Sequence, residues 1–422
     1  MVALERRRIL CGALAAVTLF VAGFGIVSAA FNRPNELDRR VSAISEHALL
    51  TLPASALADP DRQAAAKRLA DLSLPGWVLM AVFQAAALAY FWRSGAAAAL
   101  RDRLRRRLRT EWAVRFAFGA ALALVARAAA VLPAFYLYRV ERLMDLSIEL
   151  TRLWALFWIA ETLLAMLIAG MIATVVLWLV DRTHQWYAYA VVIVLGVAIA
   201  WSYASPYFQV PGSRGVQPAS AALQAGIGAA LARGGVPDAP AFVETRFESP
   251  LASAVVLGFG SSHRVVLSRS LVAASSVPEI VYRVTYGIEH VIHADPLFFA
   301  LIEGGIVIIF SAVAVIFADR VGFRRDDDPL SRFALVGALL AVVYLAAVPV
   351  RNAALRSYDL DADRYAVALT GDRAAAVRAI VRATDQRMEE VCPETLPGLF
   401  LNVHPSAAAR IAAINGVPSA CP

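Results

Sequence analysis

The stretch YGIEHVIHAD, residues 286–295, holds His290 and His293, two of the chain's six histidines, with Glu289 beside them and Tyr286 one turn earlier. In a helix each residue turns by about 100°, so positions three or four apart share a face. Tyr286, Glu289, His290 and His293 therefore form one polar stripe. Two imidazoles at this spacing can bind one zinc ion, and a third ligand must then come from elsewhere. The acid-rich stretch SYDLDADRYA, 357–366, offers Asp359, Asp361 and Asp363. The plainer reading is a polar helix end that hydrogen-bonds without metal. On these residues alone both readings stay open.

The elements that must position this stripe belong to a membrane protein. The 422-residue chain is 59% hydrophobic and only 17% charged, with a mean hydropathy of +0.61, well below the charged fraction of soluble domains. Seven apolar stretches are near the roughly 20 residues that a bilayer core demands. They lie near 9–31, 75–92, 112–137, 153–180, 187–204, 296–318 and 333–350. The lipid bilayer is thus the first partner.

The net charge of +7 comes almost wholly from arginine, since Lys67 is the only lysine, and this bias with abundant alanine points to a GC-rich bacterial genome. RDRLRRRLRT, 101–110, sits between two apolar stretches, which makes it a cytoplasmic anchor rather than a nucleic-acid surface. Residues 4–8 (LERRR), 101–109 and 319–328 (DRVGFRRDDD) fall on one side of the membrane if the N-terminus is inside. The expected location is a bacterial inner membrane, with a cytoplasmic N-terminus and with 205–295 and 351–422 together in the periplasm. Cys392 and Cys421 would pair in that oxidising compartment, or stay as two free thiols. VSAA, 27–30, resembles a signal-peptide cleavage site, but the apolar run before it is long for a signal peptide and reads as an uncleaved anchor.

Along the chain, 1–204 reads as a five-span membrane region with an external loop at 31–75, in which DPDRQAAAKRLADLSLPG predicts a short external helix. Residues 205–295 form a polar strand and helix region. There SAALQAGIGAALARGG predicts a helix ended by Gly234 and Gly235, and the alternation of 241–272 predicts two or three short strands. Residues 296–350 hold two further spans, and 351–422 a polar helical tail broken at Gly371. The expected fold class is mainly α, a polytopic protein with about seven transmembrane helices and a small α+β polar domain.

The order of these features resembles the type I CAAX prenyl endopeptidase family, membrane-embedded zinc metallopeptidases of the gluzincin class. YRVERLMDLSIELTRLW, 138–154, is similar to the family's loop before span four, and ASAVVLGFGSSHRVVLSRSLV, 252–272, to its edge strand and following turn. LRSYDLDADRYAVALTGD, 355–372, resembles the helix of the third zinc ligand, and NVHPSAAARIAAI, 402–414, its His-Pro-x-x-x-x-Arg-Ile ending. The resemblance implies a gluzincin-like polar domain and a substrate polypeptide that adds to the strand at Ala252, Ser253, Ala254, Val255 and Val256.

Carried over residue by residue, the resemblance fails where zinc catalysis is done. It places Tyr286 at the first zinc histidine, Gly287 at the general-base glutamate, His290 at the second histidine and Asp359 at the glutamate ligand. Asp363, His404 and Arg410 match the positions that hold the site or stabilise the transition state. A tyrosine hydroxyl must lose a proton with a pKa near 10 before it binds zinc at full strength. Glycine has no group to take a proton from zinc-bound water. Asp359 is shorter by about 1.5 Å, against a tolerance of about 0.2 Å. A shifted set of His290, His293 and Asp359, with Glu289 as base, is the other arrangement, but Glu289 lies on the opposite flank from Gly287.

Two function readings follow from the resemblance. One is a family member with lost or reduced peptidase activity that binds polypeptide. The other is an active zinc endopeptidase acting on membrane or unfolded polypeptides. A transporter or lipid-binding chamber protein would need more intramembrane charges and broken helices than this chain offers. Arg127, Glu161 and Glu303 lie within apolar stretches, where they line a chamber or, for Arg127 with Glu161, form a structural pair.

Overall fold

The structure, a computed structural model, describes residues 34–147, 149–209, 216–235, 239–244, 252–258, 262–293, 305, 329–419 and 421. The apolar stretches 9–31 and 296–318, the basic segments 4–8 and 319–328, and Glu303 lie outside the described residues.

Three short helices open the described chain: α1 (Pro34–Ala43), α2 (Glu46–Thr51) and α3 (Ala54–Leu57). Next come α4 (Pro60–Arg93), the arginine-rich α5 (Ala96–Arg107), α6 (Glu111–Leu143), α7 (Thr151–Arg182) and α8 (Trp186–Gln209). Asp59 caps α4 by accepting from the backbone N–H groups of Asp61 and Arg62, and Pro60 starts its first turn. The stretch 59–76, expected to be a short helix of its own, is instead the first part of α4, which runs unbroken through Pro75. The Tyr136 hydroxyl on α6 donates to the Leu72 carbonyl at 2.8 Å, in the turn before the proline and next to the Asp71 carbonyl that Pro75 leaves without its helical donor.

Helices α6 and α7 meet through small residues. A Cβ on Gly119 would lie 2.5 Å from the Ala169 carbonyl oxygen, and one on Gly170 2.8 Å from the Phe116 ring. Such close backbone approach drives helix association where lipid removes the hydrophobic driving force. On α5, Leu100 and Leu104 pack against a core cluster of the spans, and Arg105 pairs with Glu111 at 3.2 Å. The arginine run is thus the polar face of an amphipathic connector.

The polar domain follows with β1 (Val216–Pro218), α9 (Ala221–Arg233), β2 (Ala241–Glu244), β3 (Ala254–Leu257), β4 (Arg264–Ser268), α10 (Arg269–Ala274) and α11 (Val277–Ile292). The sheet order is β1-β2-β4-β3. β1 and β2 pair antiparallel, β2 and β4 parallel with Ala241 opposite Val265, and β3 and β4 antiparallel with Ala254 opposite Leu267. β3 is therefore an edge strand. Helix α12 (Pro329–Thr370) is a span that continues into the polar domain; Gly371, at φ 71°, then turns the chain into α13 (Arg373–Arg387), followed by α14 (Thr395–Phe400) and α15 (Ala407–Asn415).

Two cores meet at α11. Ile280, Val284 and Ile288 pack with Val265 and Leu267 of the sheet and Ile227 of α9. On its other side Tyr282 joins Val41 and Leu49 of the opening helices with Ile380 and Ile411 of the tail. The opening helices thus lie on the same side of the membrane as the polar domain. One fully buried guanidinium locks the three parts together: Arg382 on α13 donates to Glu279 at 2.9 Å, to Asp38 at 3.0 Å and to Ser42 at 3.1 Å.

Among the described residues four helices are long and apolar enough to cross a membrane, Pro60–Arg93, Glu111–Leu143, Thr151–Arg182 and Leu330–Thr370, with a shorter apolar stretch at Ala188–Val197. The protein is mainly helical, an integral multi-pass membrane protein with a small mixed-sheet domain.

Candidate functional site

Helix α11 begins with a capping box, in which Ser276 and Glu279 bond each other's backbone N–H groups. From this fixed start Tyr282, Tyr286 and His290 recur every four residues on the face towards α12. Asp359 and Asp363, also four apart, answer them from α12. The Tyr282 hydroxyl donates to Asp363 Oδ1 at 2.6 Å, and the Tyr286 hydroxyl donates to Asp359 Oδ1 at 2.5 Å.

Each aspartate has a second partner from the tail. Arg410 on α15 grips Asp363 with two hydrogen bonds, Nε to Oδ2 at 2.8 Å and Nη2 to Oδ1 at 2.7 Å, the bidentate geometry that makes such pairs strong. His404 Nδ1 lies 2.8 Å from Asp359 Oδ2. The Arg410 guanidinium sits 5.0 Å above the Tyr286 ring, and the Tyr286 and His290 rings meet edge to face. Burial keeps the Tyr282 and Tyr286 hydroxyls well above the ordinary tyrosine range. Arg410 is raised well above the ordinary arginine range because Asp363 and Tyr282 outweigh its burial.

His290 joins two acids. Its Nε2 lies 3.3 Å from Asp359 Oδ1 and its Nδ1 3.5 Å from Glu289 Oε2. His293, at the C-terminal end of α11, turns to Glu289 instead, 2.7 Å from Oε1. The structure thus brings Tyr286, His290, Asp359 and His404 together, and sets Asp363 with Arg410 beside them. Glu289 and His293 form a flanking pair. Asp361 is exposed and pairs with Arg364 at 2.8 Å.

Gly287 explains how the helix meets the strand. A Cβ there would lie 3.0 Å from Val256 Cγ2, so β3 leans into the space that a larger side chain would need. Ala252 and Ser253 lead into β3, with Ala252 buried and Val255 45% exposed; Ser253 and Ser268 exchange hydrogen bonds at 2.9 Å. Beside the strand lies a cavity of about 170 Å³ lined by Ala254, Tyr282, Tyr286, His404 and Arg410.

Tyr282 is the member of this constellation that sequence reasoning missed. Its signal was present, a second tyrosine four residues before Tyr286, but only the packing of α12 gives it meaning.

Zinc needs three protein ligands and an open position. The donor chemistry here does not fit it. Asp359 Oδ1 accepts a hydrogen bond from the Tyr286 hydroxyl and Oδ2 faces His404, while Tyr286 keeps its proton and Gly287 carries no base. Among the described residues no group of three His, Cys, Asp or Glu side chains is placed to hold a metal ion.

The crystal structure of S. mikatae Ste24p is similar, with a TM-score of 0.67 and 17% sequence identity over 90% of this chain and 96% of that chain. At that identity the likeness is one of fold. No curated protein sequence matches the chain. Residues 219–417 match the model of peptidase family M48.

Proposed function

We propose that this membrane member of the M48 metallopeptidase family has lost, or strongly reduced, its peptidase activity and binds polypeptide. The observation that carries this reading is the Tyr286 hydroxyl seated on Asp359 at 2.5 Å, where metal ligands would otherwise converge. Gly287, closed against Val256, supports it. Asp363, Arg410 and His404 then hold a polar core. A client polypeptide would add to the edge strand from Ala252 to Val256, with main-chain hydrogen bonds giving affinity.

The whole chain is read as seven spans, five on the helices α4, α6, α7, α8 and α12 and two at 9–31 and 296–318, with a gluzincin-like polar domain built from 205–295 and 351–422. The polar domain faces the periplasm of a bacterial inner membrane. The Cys392–Cys421 disulfide supports this side, because such bonds persist in oxidising compartments. A reporter fusion after Pro422 that is active only in the cytoplasm would overturn it.

The shifted ligand set of His290, His293 and Asp359 competes with this reading. In it Glu289 would be the base, yet Glu289 Oε1 is engaged by His293. The deciding measurement is the zinc content of the detergent-purified chain beside a His290→Ala, His293→Ala variant. No zinc in either supports metal-free binding. About one zinc per chain, lost in the variant, would sink it and make a peptidase assay the next step.

A further inference from the structure

A second cavity, of about 840 Å³, lies between α4 and α12, and it shares only Arg387 and Glu389 with the pocket beside Tyr286. Its size is within the roughly 300–1,000 Å³ of ligand pockets. Small residues leave room along it: Ala66, Ala70 and Ala81 on α4, and Gly337 and Ala341 on α12. Larger apolar side chains, among them Leu69, Val78, Met80, Leu340 and Val348, line its length. At the far end the helices close, since a Cβ on Gly337 would lie 3.3 Å from Leu88 Cδ1.

The slot runs along both helices from Ser73 to Leu88 and from Gly337 to Arg351, about 21 Å at 1.5 Å per residue. That exceeds half of the roughly 30 Å hydrocarbon core. Its wall over this length is apolar apart from Gln84, the hydroxyls of Ser73 and Tyr344 and the Trp77 indole N–H. Water gains little in such a space, and an empty slot forfeits dispersion contacts along its whole lining.

The mouth is different. The polar domain closes it with Arg351, Asn352, Arg387, Glu389, Glu390 and Asn402. Asn352 fixes this end by donating to the carbonyls of Leu399 and Phe400 at 3.1 and 3.2 Å. Arg387 and Glu389 stand 3.7 Å apart. Burial raises the Glu390 carboxyl above its ordinary range, with Lys67 opposing. Two cations and two anions at one mouth match a headgroup that carries both signs. Arg387 and Glu389 already answer each other, so a headgroup bearing both signs keeps this mouth balanced where one bearing only a negative charge does not.

We propose that this slot binds one acyl chain of a zwitterionic phospholipid of the phosphatidylethanolamine class, its phosphate towards Arg351 and Arg387 and its ammonium towards Glu389 and Glu390. The site is independent of the reading of the metal helix.

The test is native mass spectrometry of the full chain after exchange into mixed vesicles of phosphatidylethanolamine and phosphatidylglycerol. The expected result is about one retained phosphatidylethanolamine per chain, preferred roughly tenfold over phosphatidylglycerol. Ala341→Trp, which fills the slot, should abolish retention, and Glu390→Gln, outside the apolar walls, should bring the preference close to one. Retention by a folded Ala341→Trp variant equal to that of the wild type overturns the site. Equal retention of the two lipids by the wild type overturns the headgroup assignment. If Ala341→Trp does not fold, Glu390→Gln decides, and an unchanged preference overturns the proposal.

Discussion

The Tyr286 hydroxyl donates to Asp359 Oδ1 across 2.5 Å, joining the helix that would carry the metal histidines to the helix that would carry the third ligand. The position after Tyr286 is tight as well, because a Cβ on Gly287 would meet Val256 Cγ2 at 3.0 Å. Restoring the histidine and glutamate therefore needs room. Gly287→Glu is expected to lower the melting temperature, and Val256→Ala in the same chain to restore part of it, with a coupling of about 1 kcal/mol. Tyr286→His, Gly287→Glu and Asp359→Glu together should take up zinc only once Val256 is trimmed. Zinc uptake with Val256 intact would show that β3 yields and that the closure carries no weight.

The Asp363 and Arg410 pair is fully engaged, with Asp363 at 0% exposure. Removing one partner strands a buried charge, which typically costs about 3–5 kcal/mol. Arg410→Met should fall in that range by thermal unfolding in detergent. Adding Asp363→Asn, which keeps an acceptor for Tyr282, should recover a large part of the loss. Equal losses in the single and double variants would show that the cost lies in packing and not in the charge.

Parts of this architecture were legible in the chain and parts were not, for physical reasons. Helix α9 is bounded by Ser220, which caps its first turn, and by Gly234 at its end, so punctuation marks it. The alternation in 241–272 marks β2, β3 and β4, whereas β1 is three residues ending in Pro218, too short to carry a period. The hydrogen bond that Tyr136 of another span makes to Leu72, one turn before Pro75, is one that no local pattern encodes. At the site, spacing alone puts Tyr286 and His290 on one stripe. Their closeness to Asp359, His404 and Arg410 is made by packing across 70 to 120 residues of chain, and only the family resemblance pointed to it. The Gly287 to Val256 contact is tertiary throughout.

Within the spans, Arg127 donates to Glu161 at 2.9 Å and to Thr162 at 3.3 Å, with its guanidinium 3.5 Å over the Trp158 ring. This is the structural pair, and lone charges at such depth are costly. Arg127→Leu and Glu161→Leu should each reduce the yield of folded protein, and the double variant should exceed both. Unchanged yield in the single variants would rule out a stabilising role.

Cys392 and Cys421 close a loop of 29 residues of separation, for which the chain-entropy account gives about 3–4 kcal/mol. Reduction, or Cys392→Ser, should lower the melting temperature of the intact protein. A gel shift between reduced and non-reduced samples taken directly from cells would locate the bond in an oxidising compartment. Free thiols in rapidly quenched cells would place the tail on the reducing side.

Asp385 on α13 couples stability to pH. Burial pushes its carboxyl up to about 6, while the backbone N–H of Asp59 and the Arg40 guanidinium, 3.0 and 3.2 Å away, keep it from rising further. Its folded value exceeds the unfolded value near 3.9, so the native state holds this proton more tightly. The contribution is fully present below pH 4 and is lost as the pH rises towards and past 6, by about 3 kcal/mol at most. Other acids titrate in the same window, so the informative quantity is the difference between the wild type and Asp385→Asn. The asparagine can still accept from Asp59 but cannot ionise. From pH 4 to pH 7 the wild type should lose stability relative to this variant. Parallel melting curves across that range would mean that Arg40 and Arg62 already hold Asp385 ionised in the folded protein.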